Sequence, residues 1–279
     1  MNGTPVLKQL SGLGFAEALR WRNDELWFSD MFRGQVVSWN PDGETTVRLS
    51  QSQGGPEMPG GLGWTPEGDL LVVDCLRRLV LRLDRDAKVH VHADLSSLTE
   101  HPLNDMHVEA DGTAWVGGYG FNPEIDQPVD SVLYRISPTG ELSSSDARFV
   151  FPNGCERHGD LIAVAETFAD RISFFDDGSK VVKSFECSLG SGPDGLSFDS
   201  NGRLYVAMAF AAEIERFNVN GERSTFYKLE PDPQSAGGAK GIFDCAVHPS
   251  GKVIAFSSAC LDENYAMAHD TGSITILEL

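Results

Sequence analysis

Apolar and polar residues alternate in short runs along the whole chain, and turns rich in Gly, Pro, Asn and Asp separate the runs. Within residues 192–207, Leu196 and Phe198 alternate with small or polar neighbours, as do Leu204 and Val206. A period of two puts one set of side chains on one sheet face, so this stretch predicts two short strands with a turn between them. The Asn201-Gly202 pair strengthens the hairpin, because both central positions of a tight two-residue turn favour positive φ. Asp194 stands just before the first strand, in a Pro-Asp-Gly turn, and would project from a strand end.

The same order of turn and strands recurs along the chain, led in turn by Glu17, Gly60, Asn104, Asn153, Asp194 and Asp244. These leads lie 43, 44, 49, 41 and 50 residues apart. Units of about 40–50 residues with several strands each indicate a β-propeller, since helical repeats would show a period of 3.6. The expectation is an all-β fold, a single six-bladed propeller of four-stranded blades over residues 1–279. Fourth strands are predicted over 45–49, 89–93 and 181–186. The last unit ends after its third strand, while residues 4–10 stand alone before the first. The N-terminal segment is therefore expected to supply the outer strand of the sixth blade and close the ring, which removes two exposed sheet ends.

Composition narrows the function. The chain has 22 basic and 41 acidic residues, a formal charge of −19, and its Lys and Arg are scattered. A phosphate backbone would be repelled, so nucleic acid is not an expected partner. No run is long enough to span a bilayer, the first ten residues lack an apolar core, and no membrane partner is expected. Cys75, Cys155, Cys187, Cys245 and Cys260 are odd in number, widely spaced and without a C-x-x-C pair. They fit free thiols in a reducing compartment, hence an expected cytoplasmic location.

In a propeller the innermost strands line a central channel and all start on one face, so their first residues converge at one mouth. Three acids and two amides facing inward there are costly unless something positive sits among them. An all-oxygen set of carboxylates and amides suits a hard divalent cation such as Ca²⁺, Mg²⁺ or Mn²⁺.

The motifs Ala16-Glu17-Ala18, Leu103-Asn104-Asp105-Met106 with Asp111-Gly112, Pro152-Asn153-Gly154 and Pro193-Asp194-Gly195-Leu196 follow in a specific order and spacing. In these the chain resembles the senescence marker protein / gluconolactonase / luciferin-regenerating enzyme family over essentially its whole length. The resemblance implies one divalent ion held by Glu17, Asn153 and Asp194, taken as Ca²⁺ ahead of Zn²⁺, Mn²⁺ or Mg²⁺. It implies lactone hydrolysis with Asp194 as acid/base, and Asn104 beside it contacting water or substrate. Sugar-lactone members tend to carry an Arg two residues before the Asn-Asp pair; here Pro102 stands there, preceded by His101. That departure points away from a polyhydroxylated substrate.

Other chemistries fit less well. Gly54-Gly55 and Gly60-Gly61 precede no helix, so they make no phosphate loop. No Gly-x-Ser-x-Gly elbow is present. Cys155 and Cys245 read as buried thiols, and His90, His92, His158, His248 and His269 have no ligand spacing. His101 and His107 bracket Asn104, with His107 read as an inner-strand residue. The turns on the mouth face carry Met31, Phe32, Leu76, Tyr119, Phe121, Phe168, Met208, Phe210, Leu261 and Tyr265. Together with the insertions 118–130 and 260–271, which can act as lids, they predict an apolar pocket for a hydrophobic or aromatic lactone. The alternatives are a sugar lactonase, a relative acting on phosphotriesters or condensing amines with aldehydes, and a non-catalytic propeller that binds a protein.

Overall fold

The computed structural model describes residues 4–176, 180–231 and 238–279. Six four-stranded antiparallel sheets form the blades of a propeller. Their inner strands are Ala16–Arg22, Pro59–Trp64, Leu103–Val108, Pro152–His158, Pro193–Phe198 and Lys240–Val247. The expected outer strands are present at Thr45–Ser50, Val89–Asp94 and Lys180–Glu186. The ring closes as expected: Val6–Leu13 pairs with Gly272–Glu278, bringing Leu10 opposite Ile274. Blade three departs from the pattern. Its third strand is only Tyr134–Ile136, and Asp130–Ser131 pairs instead with Phe149–Val150 in a separate ribbon.

The alternation seen in the sequence builds the core between blades. Ala18, Val36, Leu62 and Val72 join blades one and two, and Trp115, Phe149, Val164 and Phe175 join three and four. Leu19, Phe28, Ala246 and Ile274 join blade one to blade six. Each blade thus buries both faces against its neighbours, which makes the ring the stable unit.

The two faces of the ring differ. On one, short turns recur in which an Asn, Asp or Ser side chain accepts backbone N–H groups. Asp199 Oδ1 accepts from Asn201 and Arg203 at 2.9 Å, and Gly202 N donates to Asp199 O. Of the Asn201-Gly202 pair only Gly202 has positive φ, so the loop is a four-residue turn rather than the two-residue one expected. Asp84 and Asn218 build equivalent turns. The opposite face carries the long insertions. Residues 118–130 form an irregular loop, and 260–271 contain a seven-residue helix, Glu263–His269, too short to leave a clear period in the sequence.

Every inner strand also carries a β-bulge near its start. Register shifts fall between Pro59 and Leu62, Leu103 and Met106, Pro152 and Cys155, and Pro193 and Leu196. In blade one the shift lies between Glu17 and Arg20, and in blade six between Ile242 and Asp244. A bulge re-aims the side chains beside it. Here it turns the lead residues toward the channel mouth.

Candidate functional site

The inner strands and the long mouth-face loops enclose a cavity of about 790 Å³. Its floor holds Glu17, Asn104, Asn153 and Asp194, so four of the five predicted polar leads come together. Blade two contributes none, because a Cβ at Gly60 would lie 2.7 Å from the Asn104 carbonyl oxygen. Blade six corrects the expectation. Its register places Phe243, not Asp244, where the other blades carry their polar lead, and Phe243 lines the cavity.

Asp244 lies one residue deeper, 1% exposed, and its carboxylate accepts from the backbone N–H groups of Leu19 and Cys245. A Cβ at Gly195 would collide with Asp244 Oδ1, so only glycine lets blade five pass this carboxylate. Below the floor, Arg20 serves as a built-in counter-ion. Its Nη2 donates to both Asp105 oxygens at 2.9 and 3.0 Å and to the Met106 carbonyl at 3.0 Å, while Nη1 lies 3.8 Å from Asp244 Oδ2. Burial nevertheless raises the Asp244 carboxyl to about 7, with Arg20 opposing the rise.

The floor residues differ in how they are held. Asn153 Nδ2 donates to Thr167 Oγ1 at 3.3 Å, and that hydroxyl donates to the Pro193 carbonyl at 2.9 Å. The amide is thereby oriented, with its oxygen left free to coordinate. Asp194 is 5% exposed and its Oδ1 is buried without a hydrogen-bond partner. Burial raises the Asp194 carboxyl well above the usual range, and the charges of Asp244 and Asp105 add to the rise. Burial likewise raises Glu17, followed by the charge of Asp194. Two close carboxylates, one orphaned oxygen and a fixed amide fit a hard divalent cation. Among the described residues no group of three His, Cys, Asp or Glu side chains is arranged to hold a metal.

The walls are aromatic, as expected for Phe32, Tyr119, Phe121, Phe168 and Phe210, and Met31, His101, Pro102 and Leu261 line the cavity with them. Three other expected wall residues lie elsewhere. Met208 is fully buried between blades, Leu76 is 43% exposed away from the cavity, and Tyr265 stacks on His269 at 3.9 Å. His107 is also outside the cavity, 3.5 Å from Glu109, which Arg157 grips as well. The expected buried thiols are found: Cys155 and Cys245 are 3% and 1% exposed, and burial raises both.

Phe15, Phe151 and Phe243 were not legible as wall residues. Phe15 packs on Phe32 and Phe243 at 5.0 and 4.5 Å, and Phe151 on Tyr119 at 4.5 Å. Phe243 is set by the blade-six bulge, whereas the chain around Phe15 and Phe151 is held by a recurring device at the end of the second strands. Asp30 accepts from the backbone of Gly14 and Phe15, Asp74 from Glu57, and Glu166 from Val150. Each acid also pairs with the Arg that follows it, Arg33, Arg77 or Arg171. An acid followed three to five residues later by an Arg was the available signal.

Solved structures of similar fold cover nearly the whole chain. A calcium-binding protein, regucalcin, from Agrobacterium tumefaciens aligns over 100% of this chain and 96% of its own, with 15% identity and a TM-score of 0.75. A gluconolactonase from Xanthomonas campestris aligns over 97% and 89%, with 19% identity and a TM-score of 0.71. A luciferin-regenerating enzyme aligns over 96% and 92%, with 15% identity and a TM-score of 0.75. At these identities the likeness establishes the fold. No curated protein sequence matches the chain. The family model described as "SMP-30/Gluconolactonase/LRE-like region" matches residues 15–235, which include the four floor residues, and the chain belongs to that family.

Proposed function

We propose that this cavity hydrolyses a hydrophobic or aromatic lactone with one divalent cation, Ca²⁺ first, held by Glu17, Asn153 and Asp194. The observation that carries the reading is Asp194 Oδ1, buried and unpartnered on the floor of an aromatic cavity. When bound, such a cation supplies polarisation of the lactone carbonyl and a more acidic water. The chain's own residues do the rest. Asp194 takes a proton from the attacking water as the new C–O bond forms at the acyl carbon. It returns that proton to the ring oxygen as the ester bond breaks, leaving a hydroxy acid. Asn104, beside it on the floor, offers an amide that orients the carbonyl or the water. The aromatic walls hold the lactone against the floor and exclude bulk water.

Substrate preference follows from the walls and from the absence of a hydroxyl-gripping Arg. No Lys or Arg lies among the described residues lining the cavity, and Pro102 occupies the expected Arg position. A panel of γ- and δ-lactones with lengthening alkyl chains, assayed with and without chelator, tests the reading. Each methylene buried contributes about 0.8 kcal/mol, so kcat/KM should climb about fourfold per step until the cavity is full. Asp194→Ala should abolish both turnover and cation binding. Preference for gluconolactone over the alkyl series would favour a sugar lactonase, and full activity in chelator would remove the cation from the reaction.

A further inference from the structure

The charges around this cavity are one-sided. Its lining includes the carboxylates of Glu17, Glu100, Glu124, Asp194 and Glu263, and the one ionisable base among the described lining residues is His101. A divalent cation on the floor answers Glu17 and Asp194. It leaves the three rim carboxylates, Glu100, Glu124 and Glu263, and none of these forms an ion pair among the described residues. Two of them come from the mouth-face insertions: Glu124 from the 118–130 loop and Glu263 from the first turn of the short helix. Both line the same cavity, and partial burial and then the charge of Glu124 raise the Glu263 carboxyl. Like charges brought together at a mouth destabilise each other unless a cation enters between them.

The aromatic surface points the same way. Phe168 and Phe210 are 36% and 46% exposed, with ring centroids 6.0 Å apart, and Phe168 also packs on Phe121 at 5.6 Å. These partly exposed rings share one cavity lining with the three rim carboxylates, and an alkylammonium group is attracted to both kinds of group. On the floor, the buried and unpartnered Asp194 Oδ1 shows that the same cavity is built around a ligand.

We infer that the substrate is a lactone bearing a cationic alkylammonium group, its ring at the floor and its charge among Phe168, Phe210 and the rim carboxylates Glu124 and Glu263. The inference rests on the lactonase reading and adds the substrate's charge. The same rim repels an anionic acyl compound, and it speeds departure of the newly formed carboxylate.

The test uses the cation-loaded protein and two δ-lactones of one shape, carrying a trimethylammonium-alkyl chain or its neutral tert-butyl isostere. The charged lactone should show about tenfold higher kcat/KM at low ionic strength, with the ratio falling as salt screens the rim. Glu124→Gln combined with Glu263→Gln should bring the ratio toward one. Equal or faster turnover of the neutral isostere by the wild-type protein overturns the inference while leaving the lactonase reading intact. If neither lactone is turned over, the lactonase reading fails, and calorimetry with the same pair decides the charge question. Tighter binding of the ammonium compound then sustains the inference, and equal binding ends it.

Discussion

At the residue scale, the most consequential side chain beneath the site is Arg20. Asp105 and Asp244 are 8% and 1% exposed, and this guanidinium is the cation both face. Removing one partner of a buried ionic cluster strands the others, at a cost of about 3–5 kcal/mol. Arg20→Met should therefore lower unfolding stability by that amount in urea titration, and adding Asp105→Asn and Asp244→Asn should restore much of it. A single variant within about 1 kcal/mol of wild type would show that the cluster tolerates an unpaired charge. Arg20 also explains what the sequence did and did not make legible. Glu17, Asn104, Asn153 and Asp194 share a register visible as recurring strand starts, and the fold brings all four to one floor. Asp244 shares the polar character but not the register, because the blade-six bulge falls at Phe243. An offset of one residue leaves no trace in alternation, so the acid assigned to the mouth proves to belong to the Arg20 cluster.

At the scale of elements, blades are legible and mouth loops are not. Strand alternation repeats six times, so errors in one unit are corrected by the others. The helix Glu263–His269 occurs once and is two turns long, so no repeat supports it. It carries Glu263, Asn264 and Met267 to the cavity, and its start is held by Asp262, whose Oδ1 accepts from Tyr265 N at 2.9 Å. Loss of such a cap costs about 1 kcal/mol, a large share of what holds an element this short. Asp262→Ala should thus raise KM for bulky lactones several-fold, with kcat and the global melting temperature nearly unchanged. Hydrogen exchange at Ala266, whose N–H bonds to the Asp262 carbonyl, should quicken in parallel. An unchanged KM alongside faster exchange would mean that the helix covers the site without gripping substrate.

At the scale of the whole molecule, a chain of charge −19 gathers several of its acids into one channel, and on the proposed reading protonation and cation binding there become one equilibrium. Burial raises the Glu17 and Asp194 carboxyls, so the folded chain without a cation retains protons that the unfolded chain has already released. Stability rises with pH only where the unfolded state binds more protons; here it binds fewer. The cation-free protein should lose stability as pH climbs from the ordinary carboxylate range, about 4, toward and through the raised values. A bound divalent cation keeps both groups ionised and adds stability by mass action, about 2.7 kcal/mol at a hundredfold excess over Kd. Three measurements should therefore move together. Ca²⁺ affinity should increase as pH rises from the ordinary carboxylate range through the raised values, Ca²⁺ uptake below those values should release protons into a weakly buffered indicator solution, and the melting-temperature gap between loaded and chelated protein should widen over the same rise. Asp194→Asn should reduce all three together, because it removes a proposed ligand and a titrating group at once. A gap that stays constant with pH, with no proton release, would place the cation away from Glu17 and Asp194 and leave their raised carboxyls to substrate alone.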